Sequence, residues 1–122
     1  MNIAVAAEGK SLDSQVSEKF EKCLYLLIVN MNDLSITVIK NDELFENSSG
    51  ENLANEILKH DCEALITGNI ECTAFDILAD ACVTRFLGVG YSVENALELM
   101  QKESLELIRN YDGTDKCSGH HH

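Results

Sequence analysis

The rhythm of apolar positions changes near the middle of the chain. "NIAVAA" (2–7) and "LYLLIVN" (24–30) are nearly unbroken apolar runs, the pattern of strands buried on both faces. "SITVIK" (35–40) alternates and is rich in β-branched residues, as a half-exposed strand does. Asn32 and Asp33 between the second and third runs suit a hairpin turn. From there the period lengthens. Ser48 and Glu51 have the spacing of a capping box, and Leu53, Ala54, Ile57 and Leu58 fall on one helical face. "ALITG" (64–68) predicts a strand. A helix follows from Cys72 to Cys82, with Phe75, Leu78 and Cys82 at helical spacing. "TRFLGVG" (84–90) predicts another strand. Ser92 then caps a helix that carries Val93, Ala96, Leu97 and Met100 on one face. Leu105, Leu107 and Ile108 either continue that helix or form a short extra segment.

The order β-β-β-α-β-α-β-α implies an α/β fold with a mixed five-stranded sheet, parallel in its second half. Right-handed crossovers would place helices on both faces. A chain of 122 residues makes one domain. The apolar pattern stops near Asp112, so residues 1–112 are expected to fold and residues 113–122, "GTDKCSGHHH", to form a flexible Cys/His tail.

Charge narrows the function classes. The formal net charge is −12, from 21 acidic and 9 basic residues. Such a field repels phosphate backbones and anionic membranes, so neither nucleic acid nor a membrane is an expected partner. No apolar stretch reaches the length of a membrane span, and "MNIAVAAEGK" lacks the basic start of a secretion signal, so a cytoplasmic protein is expected. Lys10, Lys19 and Lys22 nevertheless lie together in the first long loop and can form a local positive patch.

In open α/β sheets ligands bind beyond the carboxyl ends of the strands. Three segments should converge there: the loop Glu8–Lys22, the turn Gly68-Asn69-Ile70-Glu71 and the turn Gly88-Val89-Gly90-Tyr91. Gly68 and Gly90 permit positive φ or close backbone approach, or simply make turns. The helix starts that follow would offer free N–H groups to an anion. No Ser–His–Asp set is present and the strands lack the clustered carboxylates of a two-metal nuclease, so the reading is of a non-catalytic protein. Glu8 is the best carboxylate an enzyme could use.

Five cysteines without any C-x-x-C argue against a disulfide framework or a zinc knuckle. Cys72, near a helix start, is either a plain thiol or a thiolate favoured by the helix dipole. Cys23 opens the second strand and faces either the core or the mouth of the sheet. Cys62 and Cys82 read as small buried hydrophobes. Cys117 and His120 sit in "CSGHHH", which either binds a metal or ends in the remains of a purification tag. His60 closes a helix, where a protonated imidazole suits the dipole.

The stretches "MNIAVAAEG", "VSEKFEKCLYLLIVN", "DCEALITGNI" and "VGYSVENALELM" resemble the dinitrogenase iron–molybdenum cofactor biosynthesis family, the NifX/NafY-like domain, over residues 1–102. The resemblance implies a ribonuclease-H-like three-layer sandwich without nuclease residues. It also implies a non-catalytic carrier, found widely in anaerobes, of an iron–sulfur or iron–molybdenum cluster or its precursor, with a cluster-biosynthesis or acceptor protein as partner. The family's "hFGrApyF" is here "KFEKCLYL", and its "GGIG" is Gly68-Asn69-Ile70-Glu71. Each departing loop brings a cysteine. The implied cofactor-binding residues are Cys72, Cys23, Lys22, Lys19, Gly68, Asn69 and Gly90, and the implied metal ligands are Cys72, Cys23, Cys117 and His120. A metal-free interaction or regulatory module on the same fold is the alternative.

Overall fold

The structure is a computed structural model that describes residues 1–41 and 49–109. Ser48 of the expected capping box, Cys117, His120 and the whole tail 113–122 lie outside the described residues. Among the described residues six strands form one sheet: β1 (Asn2–Ala7), β2 (Tyr25–Asn30), β3 (Ile36–Lys40), β4 (Cys62–Thr67), β5 (Thr84–Leu87) and β6 (Glu106–Leu107). Their order in space is β3-β2-β1-β4-β5-β6. The β1–β4 and β4–β5 pairs are parallel, and the β1–β2, β2–β3 and β5–β6 pairs are antiparallel. The mixed sheet and the parallel second half match the sequence reading. The strand count does not, because six strands replace the expected five. After the third helix the chain turns at Glu103 (φ 59°) and lays two residues along β5.

Among the described residues three α-helices pack on the sheet: α1 (Ser49–Lys59), α2 (Cys72–Asp80) and α3 (Val93–Gln101). Side-chain alternation along β1 decides which helices each face meets. Ala4 and Ala6 face a core with Leu53, Ile57, Ala74 and Leu78 of α1 and α2. Ile3, Val5 and Ala7 face a second core with Val93, Ala96, Leu97 and Met100 of α3. The strand is therefore apolar throughout because it is covered twice. Small alanines at residues 4 and 6 let α1 and α2 approach one face closely.

The helix ends follow one pattern. Cys82 N–H donates to Ala79 O at 3.0 Å and Val83 N–H to Leu78 O at 2.9 Å, which is a Schellman turn. Glu103 and Ser104 repeat it after α3, donating to Met100 O and Leu99 O. Asp61, Cys82 and Glu103 sit at φ 56°, 62° and 59° after the three helices, in a region usually given to glycine. Cys82 is thereby turned outward. It is exposed, not the buried hydrophobe that its spacing suggested, because the helix has ended at Asp80.

Candidate functional site

The three segments expected at the carboxyl ends of β1, β4 and β5 do meet, through main-chain pairing. Residue bridges join Ala7 to Val16, Gln15 to Ser92 and Lys19 to Asn69. Asn69 N–H donates to Glu18 O at 2.7 Å, and Phe20 N–H donates to Asn69 O at 2.8 Å. Val16 N–H donates to Tyr91 O at 3.1 Å. The loop after β1 is thus stitched to both later turns. Phe20, fully buried at the start of a single 3-10 turn (Phe20–Lys22), anchors it in the core under α1 and α2.

The two expected glycines have different tasks. A Cβ at Gly68 would stand 2.1 Å from Glu18 O and 2.6 Å from Val89 Cγ2, so this glycine admits another stretch of the chain itself. Gly90 has φ +94° and nothing within 4 Å of a Cβ position. It is the glycine that opens onto solvent.

A cleft of about 520 Å³ lies between these loops. Lys19 and Lys22 line it together with Glu8, Glu18, Gln15, Val16, Val89 and Gly90. Two lysines thus face two glutamates, a more mixed field than three loop lysines suggested. Ser17 Oγ donates to Glu8 Oε2 and fixes that carboxylate on the rim. Lys10 departs from the patch, its Nζ lying 5.5 Å from the centroid of the Tyr25 ring. Gly68 and Asn69 form the wall behind the cleft and do not line it.

The helix start expected to receive an anion is already occupied. Val93 and Glu94 N–H donate to Ser14 O and Leu12 O, both at 2.8 Å. Asn95 N–H donates to Ser92 Oγ at 3.2 Å, as the cap reading required, and Ala96 N–H to Ser92 O. No orphan donor remains in the first turn of α3. At α2, the Glu71 carboxylate caps Ala74 N–H at 3.2 Å. Burial raises the Glu71 pKa above the usual value, opposed by the Ala74 hydrogen bond and reinforced by Glu21 and Glu51.

Neither candidate thiol lines the cleft. Cys23 is completely buried. Burial first, and then the charge of Glu8, push its thiol up to about 12 from 9.0, which opposes the thiolate a metal would need. The choice left open between core and mouth resolves to core. Cys72, the first residue of α2, is 5% exposed and its sulfur is bonded in a disulfide, which corrects the expectation of a chain without one and leaves no thiolate there for a metal. Cys62 is buried as expected. Among the described residues, no three His, Cys, Asp or Glu side chains converge on a metal-sized site. The residues that sequence reasoning left out of the site are Gln15, Val16, Glu18 and Val89. Their only signal was membership of the two predicted loops. No helix of the described residues is long and apolar enough to cross a membrane.

The family profile described as dinitrogenase iron-molybdenum cofactor matches residues 1–103. The chain belongs to this family. Solved structures share its fold. The apo orange protein of Desulfovibrio gigas superposes with a TM-score of 0.83 at 23% identity, over 91% of this chain and 95% of that one. A Thermotoga protein described as a candidate NifB gives 0.80 at 24%, over 91% and 96%. A Methanocaldococcus jannaschii protein described as a candidate dinitrogenase gives 0.69 at 25%, over 90% and 96%. The NifX-like fold is therefore established. Among curated proteins, none matches the chain significantly.

Proposed function

We propose that this protein is a non-catalytic accessory factor that carries an iron–sulfur or iron–molybdenum cluster, or its precursor, as cargo. The observation that carries the reading is the cleft in which Lys19 and Lys22 meet Gly90 at the carboxyl ends of the parallel strands, in a chain of the iron–molybdenum cofactor family. An anionic metal–sulfur cluster would be held there by the ammonium groups of Lys19 and Lys22, not by a thiolate from Cys23 or Cys72. Such binding is weak per contact and falls with salt, which suits a carrier that must hand its cargo to a biosynthesis or acceptor protein. Glu8 and Glu18 temper the affinity.

One observation favours the second reading, a metal-free interaction module: among the described residues no free thiol lines the cleft. Anaerobic titration of the tag-free protein with a preformed anionic cluster separates the two. Stoichiometric binding, read as bound iron and visible absorbance, should fall in K19Q/K22Q and survive in C72A. Loss in C72A alone would return the site to the α2 start. No binding by the wild-type protein would favour the interaction module.

A further inference from the structure

At the far end of the sheet, where β5 begins, a second cleft of about 370 Å³ is lined by Cys82, Val83, Arg85, Leu107, Ile108 and Arg109, together with Thr84. Arg85 and Arg109 are the only arginines in the chain, and both lie here, on a protein of net charge −12. Their meeting is a product of the sixth strand. Ile108 N–H donates to Arg85 O at 2.8 Å, so the next residue, Arg109, is carried to the same edge.

Arg85 is held in place before any ligand arrives. Its Nη1 donates to Val83 O at 2.7 Å, and its guanidinium stacks 4.5 Å from the centroid of the Phe75 ring on α2. Its Nε is enclosed without a hydrogen-bond partner among the described residues. A guanidinium so fixed loses little freedom on binding, and its planar fork matches a carboxylate or phosphate. Val83, Leu107 and Ile108 give the cleft apolar walls, and its volume falls in the range of small-molecule sites.

We propose that this arginine cleft is a binding site for a small organic oxyanion, with a carboxylate or phosphate head on Arg85 and Arg109 and an apolar body against Val83, Leu107 and Ile108. The site is separate from the loop cleft and does not depend on the cargo reading. Surface lysines scattered over an acidic protein would bind anions weakly and without saturation. Two arginines converging on apolar walls predict a saturable site.

Phenyl phosphate is a suitable probe, with inorganic phosphate as the head alone. Titration of the full chain, followed by NMR at the Arg85 Nε–Hε signal and at the amides of residues 82–85 and 107–109, should give one saturable transition. Phenyl phosphate should bind more tightly than phosphate. R109Q changes an exposed side chain and should weaken binding roughly tenfold, the loss expected for one charge-assisted hydrogen bond. R85Q should abolish it. Absence of a saturable shift, or equal binding by wild type and R109Q, would overturn the proposal. A change in the Arg85 signal caused by D112N/D115N without probe would overturn it too, because the chain's own carboxylates would then be the occupant.

Discussion

The two ends of the sheet are built by different means. At the carboxyl ends of β1, β4 and β5, the loop after β1 folds back on its own strand at Ala7–Val16, and the cleft is closed by pairing with distant segments, Gln15 with Ser92 and Lys19 with Asn69. At the opposite end, the turns after α2 and α3 are local, each closed by hydrogen bonds within six residues, with Cys82 and Glu103 in the left-handed region. Damage at the first end should therefore spread through the loops and the cleft they form. Damage at the second should stay where it is made.

At neutral pH the largest effect should come from Gly68. Gly68→Ala forces a methyl group onto Glu18 O and Val89, and we expect a loss of about 2–3 kcal/mol in denaturant unfolding, as for other overpacked sites. Gly90→Ala meets open space and pays only for its φ of +94°, about 1–2 kcal/mol. Equal losses at the two glycines would break the claim that Gly68 serves chain packing and Gly90 the cleft.

Away from neutral pH the next test is the alkaline dependence of Cys23, which is buried and feels the charge of Glu8. Its thiol is pushed up to about 12 in the fold, from 9.0. Above pH 9 the unfolded chain ionises this thiol while the native state keeps its proton. The contribution is thus complete below about pH 9 and lost as pH rises toward 12, at up to about 1.4 kcal/mol per pH unit. Cys23→Ala should flatten the alkaline limb of the stability curve measured by chemical unfolding. A wild-type curve that stays level up to pH 11 would contradict the buried, protonated thiol.

The smallest effect belongs to the far end. Cys82→Gly removes the cost of a side chain at φ 62° and should stabilise the protein by about 0.5–1 kcal/mol in thermal unfolding. Destabilisation would mean that the exposed thiol makes a contact that the turn geometry does not account for.

These differences also explain what the sequence made legible. Apolar periodicity located β1, β2, β4 and the three helices because each buries apolar residues in the core, while β3 and β5 were legible from their β-branched and aromatic residues although they are only half-buried. The Ser92 cap and the three converging loops followed from residue type and chain order. The sixth strand is two residues long with both side chains exposed, so it left no periodic trace. Cys82 was misplaced because i, i+4 spacing from Leu78 persists on paper after the helix has ended. The closed N-terminus of α3 escaped notice because its partners, Ser14 O and Leu12 O, are main-chain atoms eighty residues or so away, which no side-chain pattern encodes. The arginine cleft was hidden for the same reason, since it requires β6 to return beside β5.

The central claim is that cargo sits at the loop end, held by lysines. A paramagnetic metal–sulfur cluster bound to ¹⁵N-labelled protein under anaerobic conditions tests it directly, because it broadens the amides around it. The account predicts broadening at Glu8, Lys19, Lys22 and Gly90, relieved in K19Q/K22Q, with the amides of Arg85 and Arg109 left sharp. Broadening centred on the first turn of α2, unchanged by the lysine substitutions, would contradict it and move the cluster to Cys72.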